Sequence, residues 1–174
     1  MKKTLSTLKF AVILLLMASF SCEKKEITVL PPETQTGANT FGCYVNGELF
    51  VKDGTAPWMH LPLSATYSRS DKILGIRAYS HNGNDIGLEL DPLQINSSIP
   101  ISLALYSSKN PFCPYFAAKE AGEVIITKFD TVSCIASGRF NFNGQCSDFS
   151  LNIHGDSIVS ITAGRFDVKF GIVE

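Results

Sequence analysis

The sequence predicts an all-β domain, either an antiparallel β-sandwich or a partly open barrel. Three observations predict this fold class. Short alternating apolar runs, separated by turn residues, recur from Thr40 to the end of the 174-residue chain. A helical periodicity of the apolar residues is nearly absent. Finally, Asn46-Gly47 divides two alternating runs, and this dipeptide readily adopts the positive φ angles of a two-residue hairpin turn.

The first half of the domain predicts a β-meander. Residues 40–52 form the hairpin around Asn46-Gly47, and residues 64–68 and 72–80 flank the next turn. The polar sequence His-Asn-Gly-Asn at residues 81–84 then leads into the alternation of residues 86–90. Consecutive strands that are joined by such short turns pair as antiparallel neighbours.

Prolines in the middle of the chain predict loops, because proline cannot donate a hydrogen bond to a strand ladder. Loops are expected at residues 91–98 and 107–114, with a strand at residues 101–106 between them. The prolines concerned are Pro92, Pro100, Pro111 and Pro114. Residues 119–122 predict a hairpin turn that enters a further strand, although the composition of residues 115–121 also fits a single helical turn.

The C-terminal segment has the clearest strand alternation, which predicts one buried face and one solvated face. The apolar face carries Phe166, Val168, Phe170 and Ile172, and the polar face carries Arg165, Asp167 and Lys169. The sequence SGRF at residues 137–140 is echoed by AGRF at residues 163–166. Two matches do not make a repeat protein. The echo therefore predicts only two strands with the same edge chemistry.

The N-terminus has the features of a bacterial lipoprotein export signal. Lysines precede an apolar run at residues 10–20 that is too short to span a bilayer, and no other run is longer. Residues 19–22 (SFSC) resemble a relaxed lipobox, which predicts cleavage before Cys22 and its acylation; an ordinary secretory signal is the alternative. The charged run at residues 23–26 is similar to a surface-export tag. The predicted location is therefore the outer membrane, facing either the cell surface or the periplasm.

The chain divides into three predicted parts. Residues 1–21 are the signal peptide, residues 22–36 are the lipidated cysteine with an extended tether, and residues 37–174 are the all-β domain. The acyl chains on Cys22 would anchor the protein to the membrane without a transmembrane helix. Loss of three lysines with the signal makes the formal charge more negative than −1, which argues against nucleic-acid binding.

Three segments of the domain carry a resemblance. They are TGANTFGCYVNGELFV near its start, GEVIITKFD followed by IASGRFNF in its middle, and ITAGRFDVKF near its end. Together they resemble an uncharacterised family of Bacteroidota lipoproteins of unknown function, over residues 36–172. The resemblance implies an all-β fold and a location in the cell envelope, and it implies no catalytic residues.

The domain contains four cysteines in an exported, oxidising context, which allows up to two disulfides in three connectivities. They are Cys43, Cys113, Cys134 and Cys146. Because Cys134 and Cys146 are close in sequence, one interpretation joins them and leaves Cys43 to pair with Cys113. Buried free thiols are the alternative. The spacing is unlike a zinc site, since the sequence has neither a CxxC motif nor a histidine pair.

The sequence contains no catalytic or metal-binding signature, so it predicts a non-enzymatic protein without a cofactor. The three histidines, His60, His81 and His154, are scattered, and no G-x-S-x-G motif occurs. Glu89 and Asp91 could share one strand face, and residues 82–85 place oxygen ligands in a loop. A solvated strand face and turn formation explain these residues adequately.

Aromatic residues give the candidate ligand site. Trp58 lies in a Pro-Trp-Met-His loop that ends at His60, and Tyr79 and His81 lie near a later turn. Aromatic rings beside polar groups can stack on sugars and fix their hydroxyls. These four residues predict a binding site for a glycan or an envelope protein, unless Trp58 only plugs one end of the sandwich. A second hypothesis makes the protein a structural or assembly subunit of an envelope complex, which docks through strand edges.

Overall fold

The computed structural model describes residues 28–53, 61–90, 94–109, 112–148 and 153–174, without the side chains of residues 112–113, 118–120, 147–148 and 153–157. The described residues form eleven β-strands and no α-helix, in a single mixed sheet that is not closed. The predicted all-β class is therefore confirmed. The strands are β1 (Thr40–Val45), β2 (Glu48–Val51), β3 (Leu63–Ser68), β4 (Ile73–Tyr79), β5 (Asp85–Leu90), β6 (Ser98–Pro100), β7 (Leu103–Lys109), β8 (Phe112–Asp130), β9 (Ile135–Asp148), β10 (Ile153–Lys169) and β11 (Gly171–Val173).

The strands lie across the sheet in the order β11-β3-β4-β5-β7-β8-β9-β10-β1-β2, and β6 pairs with β8 beside this path. The pairing of β11 with β3 is parallel. Phe170 alone separates β10 from β11, and its ring stacks on that of Phe129 in β8 at 5.3 Å between centroids. One continuous segment therefore pairs first near the β2 end of the sheet, as β10, and then at the opposite edge, as β11. The sheet must curl to allow this, and its inner face encloses the core.

The predicted hairpins follow from local turn chemistry. Asn46 and Gly47 have φ angles of 49° and 87°, as a two-residue turn between β1 and β2 requires. Asn46 also accepts a hydrogen bond on its Oδ1 from Ser160 N at 2.8 Å, which ties this turn to β10. Strands β3, β4 and β5 are consecutive antiparallel neighbours, which confirms this part of the predicted meander. The hairpin of β1 and β2 does not continue into it, because β2 and β3 lie near opposite ends of the sheet.

Four phenylalanines form the centre of the core. Alternate residues of the strands point to the inner face and are buried, as the sequence alternation predicts. The ring of Phe140 lies 5.1 Å from that of Phe41 and 6.4 Å from those of Phe142 and Phe166, measured between centroids. Aromatic rings at these separations interact favourably beyond the effect of their burial.

The predicted loop at residues 107–114 is wrong, because β7 and β8 pair through this segment as a hairpin. Pro114 pairs with Ser107 of β7 on one side of β8. On the other side of β8 the described pairing with β9 begins only at the next residue, Tyr115, so Pro114 lies at the end of that ladder. A proline does not interrupt a ladder at a position where its missing N–H is not required. The strand expected at residues 101–106 is present as β7.

Residues 119–122 form neither the predicted hairpin turn nor the alternative helical turn, because β8 continues through them. The pairing of β8 with β9 shifts in register between Ala117 and Gly122, so the strand is bulged. A bulge inserts extra residues into one strand and bends it without ending it. The small and charged residues at 119–122, which predict a turn, lie within this bulge of β8. Of the loop expected at residues 91–98, residues 91–93 lie outside the described residues.

Candidate functional site

The segment at residues 31–38, called the strap below, lies on the outer face of the sheet. Pro31 packs on Gly42 of β1, where an added Cβ would lie 2.7 Å from Pro31 Cδ. Farther along the strap, Lys128 Nζ of β8 donates a hydrogen bond to the backbone oxygen of Gln35 at 2.9 Å. The strap therefore crosses from β1 to β8. The last part of the predicted tether is thus docked on the domain.

Asp167 of β10 anchors the strap. The residue is 1% exposed, and its carboxylate accepts hydrogen bonds from Thr34 Oγ1 at 2.5 Å, Gly37 N at 2.9 Å, Ala38 N at 3.1 Å and Ser137 Oγ at 2.8 Å. The expectation of a solvated Asp167 is wrong, because the strap covers this part of the outer face. Burial raises the pKa of Asp167, but these hydrogen bonds outweigh burial and hold the pKa well below its usual range.

Acid is expected to destabilise the fold through Asp167. Because the pKa is lower in the folded than in the unfolded chain, the carboxylate stabilises the fold above about pH 3.9, the usual pKa of an unfolded aspartate. This contribution is lost as the pH falls below that value. Urea unfolding between about pH 7 and pH 3 measures the loss. The Asp167→Asn variant should lose less stability over this range, and an unchanged pH dependence would contradict the assignment.

The two echoed segments lie side by side on β9 and β10, so they are interior strands and not sheet edges. Arg139 lies directly opposite Arg165 in the register. On the inner face each glycine of the echo lies opposite the phenylalanine of the other segment, Gly138 with Phe166 and Gly164 with Phe140. An added Cβ at Gly164 would lie 2.6 Å from the Phe140 ring. In the paired segments each phenylalanine ring therefore packs against a glycine on the inner face. The two arginine side chains lie next to each other on the outer face.

A cleft of about 250 Å³ lies beside these two arginines, and we call it the arginine cleft. Its polar lining includes Arg139 and Arg165, Glu33 from the strap, Glu123 from β8 and Asn141 from β9. Asn141 Nδ2 donates a hydrogen bond to Glu123 Oε1 at 3.0 Å, and Ser98 Oγ donates to Glu123 Oε2. These two side-chain hydrogen bonds lower the pKa of Glu123. The cleft thus presents two cations, two carboxylates and one carboxamide.

The two arginines differ in how they are partnered. Arg139 Nε forms an ion pair with Glu33 Oε2 at 2.7 Å. Arg165 Nη1 donates to the backbone oxygen of Pro31 at 3.3 Å, whereas Arg165 Nε is buried without a hydrogen-bond partner. Arg165 therefore has donor capacity that the described residues leave unused.

The backbone at the cleft is strained. Ala163 has a φ of 51°, in the left-handed region that costs an alanine about 1–2 kcal/mol. It lies where the pairing of β10 with β9 shifts between Ile161 and Gly164. Bulges and strained residues are frequent beside binding sites, where they redirect side chains.

A second depression, of about 300 Å³, lies on the outer face of β3, β4, β5 and β7. Two glycines, Gly75 and Gly87, leave its floor open, and Leu103 and Leu105 give it an apolar wall. Its cation, Arg77, is already held by two hydrogen bonds to Asp85, at 3.0 and 2.8 Å. This depression therefore offers less unsatisfied polar chemistry than the arginine cleft.

Of the four ligand residues predicted from sequence, the two that the structure describes, Tyr79 and His81, do not line the arginine cleft. Trp58 and His60 lie outside the described residues. Tyr79 is 7% exposed, and the Arg77 guanidinium lies over its ring at 5.3 Å from the centroid. His81 is exposed in the turn between β4 and β5. The echoed sequences SGRF and AGRF are the feature of the sequence that relates Arg139 to Arg165, and the echo predicts two similar strands but no binding site. Nothing in the sequence marked Glu33.

Asp85 is buried beside Arg77, the residue whose guanidinium lies over Tyr79. It is 6% exposed, and desolvation raises its pKa although the Arg77 guanidinium and hydrogen bonds from Arg77 and Ser107 lower it. Of the two carboxylates expected to share a strand face, Glu89 and Asp91, the second lies outside the described residues. Among the described residues, no group of three histidine, cysteine or acidic side chains could hold a metal ion.

The suggested disulfides Cys134 to Cys146 and Cys43 to Cys113 are wrong, because Cys43 and Cys134 are free thiols. Cys43 points into the core from β1 and is 0% exposed. Cys134 lies in the turn before β9, where its thiol donates to Thr131 O at 3.7 Å. Cys146 is disulfide-bonded. The side chain of Cys113 and all of Cys22 lie outside the described residues.

The cysteines are expected to differ sharply in reactivity. Burial raises the pKa of the Cys43 thiol, so an alkylating reagent should modify Cys134 in the native protein and Cys43 only after unfolding. Because Cys22 is the predicted acylation site, Cys113 is the remaining partner for Cys146. We expect mass spectrometry of non-reduced peptides to link these two. Equal native labelling of Cys43 and Cys134, or a different link, would contradict the assignment.

Within the described part of the chain, no helix has the length and apolar character of a membrane span. Comparisons with known protein families, curated proteins and solved structures found no match.

Proposed function

We propose that this protein is a non-enzymatic envelope lipoprotein whose domain binds a glycan in the arginine cleft. The observation that carries the proposal is the lining of that cleft, where unsatisfied and exchangeable polar groups surround a concave surface. Arg139, Arg165 and Asn141 supply donors, and Glu33 and Glu123 supply acceptors. Sugar hydroxyls both donate and accept hydrogen bonds, so they can satisfy both kinds of group.

The shape of the cleft also favours a small polar ligand. Its volume is near the lower end for ligand sites, which suits a glycan terminus better than the broad surface of a folded partner. Ile125, Ala163 and Gly164 give it an apolar floor, against which the C–H face of a sugar ring can pack. The lining residues lie mainly on paired strands, which hold the polar groups in fixed positions.

The predicted lipid would hold this site near the membrane. If Cys22 is acylated, only residues 22–30 separate the lipid from the docked strap. Nine extended residues span at most about 30 Å. The cleft would therefore sample ligands close to the membrane surface, as suits the capture of glycans at the envelope.

Binding can be tested with the mature chain from residue 22, carrying Cys22→Ser to prevent acylation. We expect a glycan array to identify a ligand and titration calorimetry to give its affinity. Arg165→Gln should weaken binding at least tenfold, about 1.4 kcal/mol. The matched control is Arg69→Gln, since Arg69 forms an exposed ion pair with Glu174 and neither residue lines the cleft. Equal loss in both variants, or no glycan bound by the unchanged chain, would refute the proposal.

The two sheet edges favour the assembly subunit as a second candidate function. In the described part of the chain, β2 and β11 end the sheet, and Val173 of β11 is 48% exposed. Open edges are the surfaces through which β-proteins add a strand from a partner. A stoichiometric protein that co-purifies with the unchanged chain and is lost in a Val173→Pro variant would support this role. An unaltered complex in that variant would oppose docking at β11.

A further inference from the structure

We propose that the glycan bound in the arginine cleft is acidic, and that its carboxylate replaces Glu33 at Arg139. This inference rests on the proposed function and names the ligand class of the same site. Glu33 would then act as a built-in competitor that occupies the cation until an acidic sugar arrives.

The Glu33–Arg139 ion pair is suited to exchange. Its side chains are 44% and 58% exposed, so the pair is screened by water and contributes little to stability. The distance of 2.7 Å shows that a carboxylate fits against this guanidinium. An incoming carboxylate could make the same contact while Glu33 returns to solvent.

The backbone on either side of Glu33 is fixed, so exchange needs only a side-chain rotation. On one side, Pro31 packs on Gly42 and accepts a hydrogen bond from Arg165. On the other side, Thr34 is held by the Asp167 carboxylate. The strap therefore keeps the Glu33 carboxylate beside Arg139 at a high effective concentration, which lowers the apparent affinity of any competing anion.

The charge of the cleft fits one negative group. Arg139 and Arg165 are balanced by Glu33 and Glu123 while the ion pair is formed. Departure of Glu33 leaves one net positive charge, because Glu123 remains hydrogen-bonded and ionised at neutral pH. A single carboxylate restores neutrality, whereas a doubly charged phosphate would be repelled by Glu123.

Arg165 gives the incoming group a further contact. It lies directly opposite Arg139 and lines the same cleft. Like charges placed opposite each other on neighbouring strands repel, and a carboxylate bound beside both relieves that repulsion. An uronic acid combines this carboxylate with the ring hydroxyls that the rest of the cleft can bind.

The experiment compares uronate-containing glycans with their carboxyl-reduced, neutral counterparts. The probes are oligogalacturonate, oligomannuronate and the unsulfated glucuronate backbone heparosan, each titrated into the mature Cys22→Ser chain by calorimetry. We expect at least one acidic glycan to bind tenfold or more tightly than its reduced form. Arg139→Gln should remove this preference.

The Glu33→Gln variant tests the competitor. It should bind the acidic glycan about threefold to tenfold more tightly than the unchanged chain. It should not strengthen binding of the neutral form, for which Glu33 is a hydrogen-bond acceptor and not a competitor. Glu174→Gln is the matched control, since it removes another exposed carboxylate paired with an arginine. Both variants should keep the melting temperature of the unchanged chain.

The outcomes separate the two proposals. If neutral glycans bind as tightly as acidic ones, or if Glu33→Gln does not strengthen acidic binding, the acidic-ligand inference is overturned while glycan binding stands. If no glycan binds the unchanged chain or Glu33→Gln, the proposed function itself fails.

Discussion

Replacing Asp167 by Asn is expected to lower the free energy of unfolding by about 2–4 kcal/mol. The buried carboxylate accepts from the backbone N–H groups of Gly37 and Ala38 as well as from hydroxyls. An amide replaces one acceptor oxygen by a donor, which leaves at least one buried N–H without a partner, and each such loss costs about 1–3 kcal/mol. The charge that strengthened the remaining hydrogen bonds is lost as well.

Urea unfolding of the two chains measures this difference, and hydrogen exchange shows where it arises. We expect the amides of Gly37 and Ala38 to lose their protection first, because the strap detaches before the sheet unfolds. The control is Asp71→Asn, whose carboxylate accepts from Ser68 in an exposed turn. A change no larger than that of the control would show that Asp167 does not hold the strap.

Replacing Phe140 by Ala is expected to cost about 3–5 kcal/mol, the range for removing a buried aromatic ring. Phe140 is 3% exposed and lies at the centre of the aromatic core, in contact with Phe41 and Phe166. Urea unfolding gives the value, and Val132→Ala is the control because Val132 is 94% exposed. A cost below about 1.5 kcal/mol, as in a site that repacks freely, would contradict the rigid core.

The ring of Phe140 also explains why residue 164 is a glycine, and a double-mutant cycle can test this explanation. Gly164→Ala alone places a Cβ 2.6 Å from the Phe140 ring and should cost about 1–3 kcal/mol by overpacking. In the Phe140→Ala background the ring is gone, so the same substitution should cost much less. Additive effects of the two substitutions would exclude the contact between them.

Local sequence features predicted the parts of the fold that depend on neighbours along the chain. Asn46-Gly47 specifies its turn by backbone preference alone, and the alternation of β10 identifies its inner face. The burial of Asp167 could not be predicted in the same way. Its burial depends on hydrogen bonds from residues about 130 positions earlier, and alternation says nothing about what covers a face.

The arginine cleft shows the same limit. The echo placed Arg139 and Arg165 on polar strand faces, but only the register between β9 and β10 places them opposite each other. Glu33 reaches them through the strap, 106 residues away in sequence from Arg139. Tyr79, the described aromatic residue of the predicted ligand set, does not mark this site, because it is buried beneath Arg77.

The parallel pairing of β11 with β3 has a consequence for the order of folding. Thr66 of β3 pairs with Gly171, about one hundred residues later in the chain. A contact between residues so far apart forms slowly, because the intervening chain must lose its entropy before the pairing is made. We therefore expect the β3 edge of the meander to stay open until late in folding, and an open strand edge can pair with another chain.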